Sequence, residues 1–220
     1  MKRIAILGAT GSIGTTALSV LRTRTDLPVK VVSLSAHTSR NRLLALSKEF
    51  NADAVCFTGD RQDGFFHGYE GLKAMLEEHP VDIVLNGIAG FDGLKASVAA
   101  LEAGADLALA NKESVVSGGP LLFELAERHH AAIIPVDSEH SAIFELLKGR
   151  AKEEISSLIL TASGGPFRNR DLSTFASITV GDALAHPTWR MGRKISVDSA
   201  TMANKALEVI EASYLFGFRG

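Results

Sequence analysis

Through roughly the first 135 residues, short apolar runs alternate with stretches in which apolar side chains recur at helical spacing. The runs predict strands at Ile4 to Gly8, Val29 to Ser35, Ala54 to Phe57, Val81 to Asn86, Leu107 to Ala110 and Ala132 to Val136. Between them, Leu18 and Leu21, then Leu43, Leu44 and Leu46, then Leu94, Val98 and Leu101 give three segments an apolar helical face, and Gly104 ends the last. Strand and helix in strict alternation predict parallel β-α-β units with helices on both faces of one sheet. The fold class is α/β: a Rossmann-like, doubly wound parallel sheet. Such sheets bind ligands at the carboxyl ends of their strands. Asn86-Gly87, Asn111-Lys112-Glu113 and Asp137-Ser138-Glu139 all fall at such ends.

The alternation breaks down after about residue 150. One more strand is expected at Ile155 to Leu160, followed by a polar, glycine-bearing loop from Thr161 to Asp171. The organisation expected is a Rossmann domain over residues 1–137 and the incomplete start of an α+β catalytic domain over 138–220. Ala185 to Gly192 carries His186, Pro187, Trp189 and Met191 with neither helical nor strand period. It reads equally as a mobile lid with an adhesive tip or as an ordinary connection with one packed tryptophan.

Composition narrows the function. A net charge of -2, from 23 basic and 25 acidic residues, gives no polybasic field for nucleic acid or an anionic membrane surface. The single cysteine, Cys56, lies in an apolar strand and reads as a small buried hydrophobe. Met1-Lys2-Arg3 runs directly into the first strand, without a signal peptide's apolar stretch, and no run is long enough to span a membrane. A cytoplasmic setting and a small-molecule substrate are the expectations.

Gly8-Ala9-Thr10-Gly11-Ser12-Ile13-Gly14 follows the first strand and opens a helix, the context in which a glycine turn brings backbone N–H groups up to a pyrophosphate. An NAD site usually places a carboxylate at the end of the second strand to hold the ribose 2′-hydroxyl. Here that segment is Ser33-Leu34-Ser35-Ala36-His37-Thr38-Ser39-Arg40, with no carboxylate, which predicts NADPH. Arg40 is the candidate cation for the 2′-phosphate, or else a solvent-facing residue of the next helix.

The chain's densest chemistry lies in Gly192-Arg193-Lys194-Ile195-Ser196-Val197-Asp198-Ser199-Ala200-Thr201-Met202-Ala203-Asn204-Lys205-Ala206-Leu207-Glu208. Ser199, Asn204 and Lys205 are donor types that hold a phosphate, and Glu208 is a hard oxygen ligand suited to a divalent cation. A helix start capped by Ser199 would account for Ser199 alone. Asp137 and Glu139, two apart, share a face if the chain is extended, and paired carboxylates call for a cation or a proton. Helix capping by Asp137 or Ser138 reads as well. His140 reads as a satisfied core histidine. Thr161-Ala162-Ser163-Gly164-Gly165-Pro166-Phe167 offers a hydroxyl and exposed amides that can cradle a phosphate, or a structural turn. Lys112, between Asn111 and Glu113, stands at a switch-side strand end.

These blocks together resemble the 1-deoxy-D-xylulose 5-phosphate reductoisomerase family, enzymes of non-mevalonate isoprenoid biosynthesis. The matching stretches are Ile6 to Gly14, Ala110 to Ser114, Pro135 to His140, Thr161 to Phe167, and His186-Pro187 through Trp189 to Glu208. The resemblance implies NADPH- and divalent-metal-dependent rearrangement and reduction of 1-deoxy-D-xylulose 5-phosphate to 2-C-methyl-D-erythritol 4-phosphate. It implies metal ligation (Mg2+ or Mn2+, with Co2+ also compatible) by Asp137, Glu139 and Glu208. Phosphate binding would fall to Ser163, Ser199, Asn204 and Lys205, with Lys112, Ser138, Glu139 and His186 at the rest of the substrate. Catalytic roles are implied for Asp137, Glu139, Glu208, Lys112 and His186. NADPH contacts are implied for Thr10, Gly11, Ser12, Ile13, Asn111, Glu113 and Gly192.

Two departures stand out. Family members carry glycine, a basic residue and asparagine after the second strand, where this chain has His37-Thr38-Ser39. Family members are also longer and form homodimers, so a C-terminally truncated chain is expected. The alternatives are a non-catalytic NADP(H)-binding regulatory module or an inactive fragment. A short-chain reductase is disfavoured, because Tyr214 has no lysine four residues later and the Tyr69-to-Lys73 spacing falls between the third and fourth strand candidates, not at a plausible place for that chemistry.

Overall fold

The computed structural model describes residues 1–59, 63–188 and 192–218. The chain divides into two compact units, Met1–Asp137 and Ser138–Gly220.

In the first unit β1 (Lys2–Leu7), β2 (Val29–Ala36), β3 (Ala54–Phe57), β4 (Phe66–His67), β5 (Ile83–Asn86), β6 (Asp106–Leu109) and β7 (Ile133–Pro135) form one sheet. Its order is β4-β3-β2-β1-β5-β6-β7, and every pairing is parallel. The α/β class expected from the alternation is the observed one. The chain steps outward from β1 to β4, then returns to lay β5 on the other side of β1. That reversal leaves a crevice beyond Leu7 and Asn86, which pair across β1 and β5.

Side chains on successive strand positions go to opposite faces, and two cores result. Ala5 and Leu7 of β1 join one core and Ile6 the other; on β3, Cys56 joins the first and Val55 and Phe57 the second. The helices α1 (Ser12–Thr23) and α2 (Arg40–Phe50) cover the second core through Leu18, Leu43 and Leu46. The first core is closed by α3 (Gly68–Glu78), α4 (Asp92–Glu102) and α5 (Lys112–Arg128), through Leu72, Met75, Leu101 and Leu122. The two-residue β4 has no counterpart in the sequence reading, because two residues cannot display a period.

In the second unit the described residues form helices and no strand: α6 (Glu139–Leu147), α7 (Val180–Leu184), α8 (Arg193–Ala200) and α9 (Ala203–Phe216), with short 3-10 turns at Lys152–Glu154 and Leu172–Ser177. The strand expected at Ile155 to Leu160 is absent. No strand of the described residues pairs with that segment, and an apolar run without a ladder partner does not make a strand. Among the described residues no helix is long and apolar enough to cross a membrane.

Two outcomes test this packing. A Cβ added at Gly14 would stand 2.5 Å from the Ala9 Cα and 2.6 Å from the Gly8 carbonyl oxygen, both backbone atoms that cannot swing aside. Gly14→Ala is therefore expected to cost about 1–3 kcal/mol, read as a fall of several degrees in the thermal midpoint; an unchanged midpoint would contradict the close approach of α1 to the turn. Cys56 is fully buried, and that burial pushes its thiol up to about 12. Iodoacetamide at about pH 8 should leave Cys56 unmodified in the folded chain and label it once the chain is unfolded, as mass spectrometry would show.

Candidate functional site

The crevice of the first unit is bounded by backbone. Gly8 takes the left-handed conformation at φ 77° and closes the turn by accepting from the Gly11 N–H at 2.9 Å. The Ala9 N–H donates to the Ser35 carbonyl at 2.8 Å, which ties the turn to the end of β2. Gly11 sits extended at the N-cap of α1, and the first turn of that helix carries no acidic residue. Its opening N–H groups and dipole therefore face the crevice with no acidic side chain in the same turn, while Asp92 and Lys95 line the crevice elsewhere.

A cavity of about 550 Å³ opens there, lined by Thr10 and Gly11 on one side, Ser35, His37 and Thr58 on another, and Gly87 and Ile88 on a third. Two buried amides fix the last wall. Asn86 donates to the Gly93 carbonyl at 2.8 Å and to Ser97 Oγ at 2.9 Å, and accepts from the Ile88 N–H at 3.1 Å. Asn111 caps α5 by accepting from the Ser114 N–H at 2.7 Å and donates to the carbonyls of Ile88 and Gly90. The loop after β5 is thus held from both ends by side-chain amides.

Thr10 and Gly11 line the cavity, while Ser12 and Ile13 open α1 at its mouth. Asn111, read as a cofactor contact, has its amide taken up by the loop it holds. Lys112 and Glu113 form the first turn of α5, half-buried. Arg40 opens α2 with its guanidinium 6.0 Å from the Phe65 ring centroid. The described lining at that end comprises His37 and Thr58 and does not include Arg40.

The second unit gathers a different chemistry. The polar run from Gly192 to Glu208 folds as two helices, with Gly192 at the N-cap of α8. They break at Met202, a non-glycine residue at φ 61°, so Ser199 ends up on the last turn of α8 and caps no helix start. The break sets Ser199 beside Asn204 and Lys205 along one crevice, which Ser163, Gly164, Gly165 and Glu139 complete. Gly165, at φ 67°, brings its backbone so close that a Cβ would meet the Ser199 carbonyl oxygen at 2.6 Å. Ser163 Oγ lies 3.1 Å from His186 Nε2, and His186 Nδ1 accepts from the Thr188 N–H at 3.2 Å. A neutral ring held that way carries its proton on Nε2 and donates it to Ser163.

Glu139 opens α6 and Glu208 lies on α9, and the Lys205 ammonium reaches both: Glu139 Oε1 at 3.1 Å, and Glu208 Oε2. It donates also to the Thr161 carbonyl. Burial by itself would lower the Lys205 pKa, but the hydrogen bonds to Glu208 and Glu139 outweigh it and hold the ammonium above its ordinary value. Ser138 occupies the N-cap position of α6 without a capping hydrogen bond, and its hydroxyl goes to Glu139 Oε2. Asp137 is the last residue of the first unit, half-buried. Trp189 and Met191, the tip of the lid reading, lie outside the described residues.

Behind this corner His140 is fully buried, as a core histidine should be. Its Nε2 is 3.0 Å from the Glu208 carbonyl oxygen and its Nδ1 is 3.2 Å from Glu211 Oε2. The Nδ1 contact is an ion-pair distance, and it is charged only when the ring is protonated. The pair fastens α6 to α9 and so sets Glu139 against Glu208. Glu211, only 3% exposed, went unread in the sequence; its signal is the three-residue spacing from Glu208, which puts both on one helical face.

The chain resembles known proteins over nearly its whole length. The model for 1-deoxy-D-xylulose 5-phosphate reductoisomerase matches residues 4–119, more than half of the chain, and that for the C-terminal domain of the same enzyme matches residues 133–216. The reductoisomerase of Clostridium kluyveri is 45% identical, covering 98% of this chain and 60% of that protein; that of Treponema denticola is 47% identical, covering 99% and 57%. A crystal structure of DOX-P reductoisomerase with NADPH, fosmidomycin and magnesium superposes with a TM-score of 0.90 at 38% identity, covering all of this chain and 59% of that one. The Zymomonas mobilis enzyme with NADPH gives 0.87 at 35% identity, covering 99% and 59%. This chain thus spans about 60% of the length of the curated relatives it matches. With the glycine turn, the switch-point cavity and the carboxylate corner in place, these matches make the chain a member of the 1-deoxy-D-xylulose 5-phosphate reductoisomerase family.

Proposed function

We propose that this chain carries the NADPH-binding unit and the metal- and phosphate-binding corner of a 1-deoxy-D-xylulose 5-phosphate reductoisomerase, which rearranges and reduces its substrate to 2-C-methyl-D-erythritol 4-phosphate. The observation that carries the reading is the pairing of Glu139 and Glu208, 69 residues apart in sequence, around one cation beside a crevice of hydroxyl, amide and glycine donors. Hard carboxylate oxygens in such a corner suit Mg2+, Mn2+ or Co2+. The glycine turn, the acid-free helix start and the switch-point cavity suit a dinucleotide. NADPH supplies the hydride, and a bound divalent cation supplies Lewis acidity at the substrate's carbonyl and hydroxyl oxygens.

This chain's own residues would divide the remaining work. Thr10, Gly11, Ser12 and Ile13 would meet the pyrophosphate, with Asn111 holding the loop against it, and Glu113 and Gly192 completing the cofactor's contacts. With its oxygen accepting from His186, Ser163 has its own proton to give a phosphate oxygen, alongside Ser199, Asn204 and Lys205. Asp137 is the third carboxylate of the reading, and Lys112, Ser138 and His186 would position the substrate. The setting is cytoplasmic, and a homodimer is the assembly implied for the full-length family.

The cofactor reading is tested at the end of β2, where His37 is exposed and lines the cavity, and where the segment from Ser33 to Arg40 carries no carboxylate to refuse a 2′-phosphate. His37→Asp is expected to weaken NADPH binding about tenfold relative to NADH, by fluorescence titration; an unchanged preference would move the 2′-phosphate elsewhere. The chemistry is tested by loss of NADPH absorbance on adding 1-deoxy-D-xylulose 5-phosphate and Mg2+. Glu139→Gln or Glu208→Gln should lower that rate at least about 100-fold, the upper end of what even an outer-shell partner costs, while NADPH affinity stays as it was. NADPH binding with no turnover in the unaltered chain would favour a nucleotide-binding module instead.

A further inference from the structure

The Lys205 ammonium has three N–H donors, and three acceptors take them: Glu139 Oε1 at 3.1 Å, Glu208 Oε2 and the Thr161 carbonyl. The other oxygen of each carboxylate is engaged as well, Glu208 Oε1 by the Asn204 amide and Glu139 Oε2 by the Ser138 hydroxyl. Each engaged oxygen keeps a second lone pair, but a divalent cation using it would sit against the donors already there. Asn204 and Ser138 are neutral and need only turn aside. Lys205 carries a positive charge that repels the newcomer, on a flexible four-carbon stem that lets it leave.

Lys205 also lines the crevice with Ser163, Ser199 and Asn204, where the proposed function needs donors for a phosphate. An ammonium whose three N–H groups are spent on Glu139, Glu208 and Thr161 has none to offer a ligand. The two tasks exclude each other. We infer that Lys205 is a resident counter-ion which holds Glu139 and Glu208 together before metal arrives, and that the divalent cation, on taking the carboxylates, releases this ammonium to the phosphate crevice. Metal binding then switches on phosphate recognition through one side chain. The inference rests on the reading of these carboxylates as cation ligands.

The probe is Mn2+ alone, titrated without substrate or NADPH and followed by the electron paramagnetic resonance of the free ion. Lys205→Met is expected to bind Mn2+ about tenfold more tightly than the unaltered chain, the effect of removing one positive charge a few ångströms from a dication at water-like screening. Glu208→Gln should bind more weakly. Equal or weaker binding by Lys205→Met, with Glu208→Gln still impaired, overturns the counter-ion role and leaves the metal reading standing. Binding that neither Glu139→Gln nor Glu208→Gln weakens overturns both. In the unaltered chain, acetylation of Lys205 followed by mass spectrometry should speed up several-fold on adding Mn2+, and this acceleration should be lost in Glu208→Gln. A rate that stays level or falls shows that the ammonium was not released.

Discussion

Two carboxylates cannot share a secluded corner without a cation or a proton to compensate them, and here an ammonium meets that constraint for Glu139 and Glu208. Glu208 is only 3% exposed, so its charge has lost most of its water and must be compensated by protein donors. Lys205, three residues earlier on the same helix, supplies the charge and reaches across to Glu139 on α6. That reach works only while α6 and α9 keep their distance, which the buried contacts of His140 with the Glu208 carbonyl and the Glu211 carboxylate maintain. The break at Met202 then decides which residues share the crevice. Were α8 and α9 one continuous helix, Ser199 would lie nearly two turns from Lys205 instead of lining the same crevice.

The first unit meets the opposite electrostatic demand. It is suited to attract an anion at a wall without charged side chains, while Asp92 and Lys95 line the same cavity elsewhere. Backbone N–H groups at the start of α1 serve this purpose, and the glycines let that helix approach the turn closely enough for the N–H groups to bound the cavity. Nothing there has to rearrange, because Asn86 and Asn111 are fully used in fastening the loop opposite. One unit is therefore preorganised by backbone and amide geometry. The other is held by exchangeable charge, and its ligands must compete with the side chains that support it.

How much of this was legible in the sequence depended on the range of the interaction. Strands β1, β2, β3, β5, β6 and β7 each buried an apolar run, so the core and the switch point could be read directly. The glycine turn could be read because its conformational demand is local. Ile155 to Leu160 misled, since an apolar run does not by itself supply a ladder, and the described residues contain no partner strand for it. Lys205 was legible as a cation near a phosphate, but not as the bridge between Glu139 and Glu208. That role depends on a contact spanning 66 residues, which no local pattern encodes. Glu211 was missed for the same reason: its partner is His140 on another helix, and in sequence it is one more acid near a helix end.

The charge balance of the corner explains why an ammonium can hold the place and still yield it. Glu139, Glu208 and Glu211 face Lys205 and His140. With His140 protonated and all three acids ionised, these five groups keep one negative charge in surplus; with His140 neutral, they keep two. Lys205 makes the corner stable enough to fold, yet it leaves the corner negative in either state. Putting a divalent cation where the ammonium stood would remove one unit of that surplus. In a partly dehydrated site residual charge is costly, and that contribution favours the exchange, against the cost of stripping water from the dication. Under the proposed exchange the released ammonium would need a new anionic partner, and a phosphate at Ser163 and Ser199 would be one within the same crevice.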